Sequence, residues 1–162
     1  MKYITLAVPC YNSESYMRRC VDSLLAGGKD VEIILIDDGS TDGTAAIADS
    51  YELTYPDIVR VVHKKNGGHG SGVNKGLELA RGVYYKVVDS DDWLDRDSFL
   101  RLIAKIKEFC GAGRDAFEKI PDLFICNYVY DHLDEGRSRV MDYRNVFPKE
   151  EMCTWNTIGR FH

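Results

Sequence analysis

Short apolar runs alternate along the chain with stretches in which apolar residues recur every third or fourth position. Residues 2–8 are apolar and β-branched and predict a strand, which Pro9 is expected to end because proline cannot donate to a central ladder. Met17, Cys20, Val21, Leu24 and Leu25 follow the i, i+3, i+4, i+7, i+8 stripe of a helix with one buried face, with Asn12 or Ser13 as its cap and Gly27-Gly28 as its stop. Residues 31–36 are apolar on both faces apart from Glu32, the mark of a strand buried inside a parallel sheet. The same reading gives a helix over 44–53, a strand over 58–62, a helix over 73–81 ended by Gly82, and a strand over 83–88. A fourth helix carries Phe99, Leu102, Ile103 and Ile106, and a fifth strand is expected over 122–128. The order β-α-β-α-β-α-β-α-β predicts an α/β fold: a mostly parallel, Rossmann-like sheet with helices on both faces. Beyond residue 131 the periodicity fades; 137–141 reads as a further strand and 149–158 as a short helix.

Composition narrows the function classes. With 162 residues, 44% apolar and 29% charged, the chain can build one sizeable core and is not disordered. Lys plus Arg is 21 against 26 Asp plus Glu, a net charge of -5, which argues against a nucleic-acid partner gripped through its phosphates. The longest aliphatic runs, such as 33–36, are far shorter than a membrane span, and the N-terminal apolar stretch is too short for a signal peptide. The five cysteines (Cys10, Cys20, Cys110, Cys126, Cys153) form no CxxC pair, so neither a disulfide framework nor a structural zinc site is expected, and a reducing cytoplasm fits.

In open α/β sheets ligands bind at the carboxyl ends of the strands. Those ends carry Pro9-Cys10-Tyr11-Asn12, Asp37-Asp38-Gly39-Ser40, the glycine loop from Asn66, and Asp89-Ser90-Asp91-Asp92. Asp37, Asp38, Asp89, Asp91 and Asp92 are expected to face one edge, and such crowding calls for a cation; magnesium or manganese suits oxygen ligands and keeps positions for phosphate oxygens. Each motif also has a plainer reading. Asp37 to Ser40 can be a turn and helix cap, Asp89 to Asp92 a solvated loop with Asp92 or Asp95 as cap, and Tyr11 a core aromatic rather than a stacking platform for a base. The glycine loop is neither a Walker A nor a GxGxxG motif, and His69 reads as a loop histidine, with no second His or Cys at ligand spacing.

Taken together, Val8-Pro9-Cys10-Tyr11-Asn12, Ile34 through Thr44, Asn66-Gly67-Gly68, Asn74-Lys75-Gly76 and Val88-Asp89-Ser90-Asp91-Asp92 resemble family 2 glycosyltransferases of the GT-A fold, in order and approximate spacing from residue 2 to 106. The resemblance implies a nucleoside-diphosphate sugar donor, most commonly a UDP-sugar, a saccharide or lipid-linked acceptor, Mn2+ or Mg2+, and inversion at the anomeric carbon. Residue by residue, it implies that Pro9 and Tyr11 contact the nucleoside, that Asp38 bonds the base and Asp37 supports that loop, and that Asn74 and Lys75 lie near the nucleotide. Asp89-Ser90-Asp91 would be the DxD, with Asp91 and Asp89 at the metal and Asp89 and Ser90 near ribose and sugar. The family's general base lies well beyond the DxD, and Asp131, Asp134 and Glu135 lack its context. The expectation is a single GT-A domain over 1–162, cut short at its C-terminus, with a donor-binding half at 1–110 and the start of an acceptor-side region at 111–162. Peripheral membrane contact would come through regions outside this chain. Three readings compete: a nucleotide-sugar-binding module without a base, a complete chain using a local acid as base, and a phosphotransfer enzyme echoing DxDG at 36–40. The last is disfavoured because the first strand ends in Pro9-Cys10-Tyr11 rather than a nucleophilic Asp.

Overall fold

The computed structural model describes residues 1–111, 120–132, 136–143, 146–147 and 153. Four strands, β1 (Ile4–Cys10), β2 (Val31–Asp37), β3 (Val59–His63) and β4 (Tyr84–Val87), pair in parallel in the spatial order β3-β2-β1-β4. Helices α1 (Met17–Leu25), α2 (Thr44–Thr54) and α3 (His69–Leu79) make the crossovers, and α4 (Arg96–Gly111) follows β4. The two central strands β1 and β2 are buried along their whole length, as a run apolar on both faces requires. Alternation sends Ala7, Ile34 and Ile36 to one face, where Val62, Leu79 and Tyr85 pack against them. There α3 comes so close that a Cβ on Gly76 would lie 2.6 Å from the Cβ of Ala7. Val31, Ile33 and Leu35 alternate to the other face and are fully sealed; Ile103 of α4 reaches Gly27 beside Val31 on that side.

At the amino end of the sheet a buried carboxylate ties the layers together. Glu32, 2% exposed, accepts hydrogen bonds from Thr5 Oγ1 (2.8 Å), Arg60 Nη1 (2.9 Å) and the Arg81 amide (2.9 Å). Burial opposes its ionisation, but the bonds from Arg60, Thr5 and Arg81 outweigh it and hold the carboxyl below its ordinary range. A depressed carboxyl contributes stability above its unfolded pKa and loses it as pH falls through the folded one. Glu32→Gln is therefore expected to lower stability by about 1–3 kcal/mol at neutral pH and to flatten the acid limb of the stability curve, read by urea melts at several pH values.

Several expectations are corrected. Pro9 lies inside β1, opposite Ile36, rather than ending it. The carbonyl of Ala7 accepts from Val88 on the β4 side, so Pro9, two residues on, turns its missing N–H toward that same side, where pairing with β4 has already stopped at Ala7. Helix α3 begins at His69, within the glycine loop and four residues before the start expected at 73. Neither Asn12 nor Ser13 caps α1 with its side chain; the Ser13 hydroxyl faces Ser90 and the Tyr11 amide. Asp95, by contrast, does cap α4, accepting from the Ser98 amide at 2.9 Å.

The chain divides into two units, Met1–Ala112 and Gly113–His162. In the second unit the fifth strand is not 122–128 but β5 (Tyr128–His132), which pairs antiparallel with β6 (Arg137–Met141), the further strand expected there. The helix expected over 149–158 lies outside the described residues apart from Cys153, as do Asp134 and Glu135. Among the described residues no helix is long and apolar enough to cross a membrane.

Candidate functional site

The strand order reverses around β1: β2 and β3 lie to one side, β4 to the other. Loops leaving neighbouring strands in opposite directions open a crevice at their carboxyl ends. A cleft of about 460 Å3 lies there, within the range of small-molecule sites. Pro9 and Cys10 enter it from β1, Tyr11 from the turn after β1 and Asp38 from the end of β2, while Asn66 and Gly68 come from the loop before α3 and His69 is the first residue of that helix. Asp89, Ser90 and Asp91 follow β4, and Tyr16 reaches it from the approach to α1.

Asp38 is 4% exposed, and its carboxylate gathers the glycine loop. Lys64 Nζ donates to Oδ1, the Gly67 amide to Oδ1 (3.0 Å) and the Gly68 amide to Oδ2 (2.8 Å). Burial opposes the charge, yet the Lys64 ammonium and the two amides hold the carboxyl below its ordinary range. Gly68 at φ +81 and Gly39 at φ +74 make this close approach with backbone that side chains rarely adopt; a Cβ on Gly39 would meet the Asn66 amide nitrogen at 3.0 Å. Asp37 turns away from the cleft: its Oδ1 accepts from the Ser40 amide (3.0 Å) and its Oδ2 lies 3.0 Å from His63 Nδ1. Ser40 Oγ in turn accepts from the Asn12 amide, and Asn12 Oδ1 from the Thr41 amide, so the turn after β2 is sewn to the turn bearing Tyr11. Tyr11 itself is 52% exposed, a ring presented to the cleft rather than packed in the core.

On the β4 side, Ser90 is buried and its hydroxyl lies 2.9 Å from that of Ser13. Asp89 Oδ1 meets His69 Nε2 at 2.8 Å. Asp91 makes no hydrogen bond or ion pair with the described residues. Partial burial and then the charges of Asp91 and Asp89 push the Asp92 carboxyl above its ordinary range, the mark of anionic crowding. The five carboxylates thus do not all converge: Asp38, Asp89 and Asp91 line the cleft, while Asp37 and Asp92 do not. Asn74 and Lys75 do not line it either. They border a separate depression of about 410 Å3 with Lys64, Ser71 and Glu78, linked to the cleft through the Lys64–Asp38 pair, and Lys75 is held by Glu78. Burial, then the charge of Asp37, pushes the Cys10 thiol up to about 12, which removes it as a nucleophile.

Among the described residues no three His, Cys, Asp or Glu side chains gather into a metal cage. Asp89 and Asp91 with Ser90 between them fit a different kind of site, in which a hard cation takes one or two carboxylates and completes its shell with phosphate oxygens and water. Lys64, His69, Asn66 and Tyr16 were not singled out from sequence as site residues. The glycine-rich composition around His69 is what hid it, since glycine disfavours the helix that α3 nevertheless starts there.

The family model for Glycosyl transferase family 2 matches residues 5–143. A glycosyltransferase of Streptococcus pneumoniae, GlyA, is 37% identical over 162 residues, covering 96% of this chain and 23% of its own. Staphylococcus aureus TarS 1-349 in complex with UDP superposes with a TM-score of 0.59 at 31% identity, over 68% of this chain and 33% of that one. The mannosyltransferase PcManGT of Pyrobaculum calidifontis, in complex with GDP-Man and Mn2+, gives a TM-score of 0.54 at 26% identity, over 59% of this chain and 30% of that one. The chain therefore spans less than half the length of each of these relatives.

Proposed function

The chain belongs to glycosyl transferase family 2, and from that premise we propose that it binds the donor in an inverting, metal-dependent transfer of a sugar from a nucleoside-diphosphate sugar to a saccharide or lipid-linked acceptor. The observation that carries the reading is the meeting of Tyr11, Asp38 and Asp89-Ser90-Asp91 in one cleft at the switch point of the sheet. Pro9 and Tyr11 flank the nucleoside. Asp38 shapes the loop around the base and presents the remaining acceptor capacity of its carboxylate to it, and Asp37 braces the turn. Asp89 and Ser90 lie against ribose and sugar, and Asn74 and Lys75 contribute from the adjoining depression. Asp91, with Asp89, would hold Mn2+ or Mg2+. When bound, the cation neutralises the charge that develops on the departing diphosphate. The acceptor hydroxyl needs a base. Asp38 is engaged by the loop and Asp89 by His69, so neither is assigned that role.

A UDP-sugar is the favoured donor, supported by the UDP complex of the TarS relative. A thermal-shift panel of UDP, GDP and TDP with their sugars, with and without manganese, tests the proposal. A hundredfold excess over Kd stabilises by about 2.7 kcal/mol, an increase in Tm of about 5–10 °C for a chain of this size. A manganese-dependent rise with one nucleotide is expected; no shift with any of them overturns the reading. Tyr11→Ala is expected to weaken UDP and UDP-sugar alike by about 1–3 kcal/mol, the worth of one base–aromatic stack, measured by titration calorimetry. A loss confined to the sugar-bearing ligand contradicts the role given to Tyr11.

A further inference from the structure

We propose that His63 is a positioning residue for the nucleoside side of the cleft, a proton-dependent latch that holds the turn after β2 in its binding shape only as imidazolium. The inference rests on the donor-binding reading of the cleft. Both ring nitrogens face carboxylates: Nδ1 lies 3.0 Å from Asp37 Oδ2 and Nε2 lies 2.9 Å from Asp49 Oδ1. An ionised carboxylate only accepts, so both nitrogens must carry hydrogen, and only the imidazolium does. Asp37 from β2 and Asp49 from α2 are the charged groups that face the ring. Asp37 is the buried partner, its side chain 6% exposed, against 61% for Asp49.

From Asp37 the bonds continue through the Ser40 amide, Ser40 Oγ and the Asn12 amide to the residue that follows Tyr11. When His63 loses its proton, either tautomer withdraws the positive charge from buried Asp37, and one of the two carboxylates loses its donor. The bonds to Asp37 and then Asp49 hold the His63 imidazole above the ordinary histidine range, against its partial burial. The latch is therefore complete below the ordinary histidine pKa and is lost as pH rises through the folded-state value.

Asp49→Asn, a change at an exposed position outside the cleft, separates this from a merely structural role. In the unaltered chain, UDP affinity by calorimetry across about pH 5–9 is expected to fall about three- to tenfold as pH rises, with the Ser40 amide moving in NMR at the same midpoint as the His63 ring. Asp49→Asn should shift both midpoints to lower pH while leaving the acid-side affinity unchanged, and His63→Gln should abolish the step in the Ser40 amide. The comparison cancels titration of the nucleotide phosphate, which both chains share. A Ser40 amide indifferent to His63, or an identical midpoint in Asp49→Asn, overturns the latch. If UDP binds at no pH, the donor-binding reading fails, and the Ser40 midpoint still decides the latch.

Discussion

Asp91→Asn is expected to remove the manganese dependence of nucleoside-diphosphate binding while leaving the fold intact. The Asp91 side chain lines the cleft without a hydrogen bond or ion pair to the described residues, so exchanging one oxygen for an amide breaks no contact of the folded chain. The substitution keeps volume and removes charge, and it relieves the repulsion felt at Asp92. Its Tm should match or slightly exceed that of the parent. The binding effect should be large. Altering a group that only supports a metal ligand costs about 10–100-fold in affinity, and losing the ligand itself should exceed that range. Titration calorimetry of UDP with and without manganese reads the difference. Manganese-linked affinity equal to that of the parent chain would falsify the assignment of Asp91.

Gly82→Ala should damage the fold itself. Gly82 lies between α3 and β4, and its amide donates to Thr5 Oγ1 at 2.8 Å. A Cβ there would stand 2.4 Å from the Thr5 amide nitrogen, 2.6 Å from the Ile4 carbonyl carbon and 2.9 Å from the Ile4 Cα. All three atoms are backbone of β1, paired on both sides, so no rotamer change relieves the clash. Either β1 or the α3–β4 connection must move, and the Glu32 clasp that bonds the Arg81 amide moves with it. A loss of about 3 kcal/mol or more is expected, at the upper end of overpacking effects. Gly28→Ala is the control: nothing lies within 4 Å of its Cβ, and only its φ of +55 resists a side chain. That change should cost about 1 kcal/mol. Equal urea midpoints for the two variants would contradict the packing described at Gly82.

Residues 31–36 are legible as a buried central strand because no polar position interrupts them except Glu32, which is buried and paired with Arg60. Three other features were not legible, for identifiable reasons. Pro9 looks like a strand end in the sequence because its missing N–H matters only if a neighbour needs it, and where β4 stops is a tertiary fact. The start of α3 was obscured by glycine, whose low helix propensity is overridden by packing against β1. The strand expected at 122–128 falls short of β5 because apolar content there resembles that of β5, while its partner β6 fixes the pairing from 128 onward.

The site shows the same division. That Tyr11, Asp38 and the Asp89-Ser90-Asp91 run share a locality could be read from their places at strand ends. Which of two adjacent aspartates enters the cleft could not. Asp37 still belongs to β2 and turns toward His63, opposite it in the ladder, whereas Asp38 lies one residue past the strand and meets the glycine loop. Lys64 and His63 became visible only through that register, because nothing in their own sequence context separates them from ordinary surface residues.

The most direct measurement is a crystal structure of the chain with UDP and manganese. The account predicts nucleotide density between the strand ends, the base against Pro9, Tyr11 and Asp38, and manganese held at Asp91. Nucleotide density outside this cleft, or manganese bound without Asp91, would contradict it.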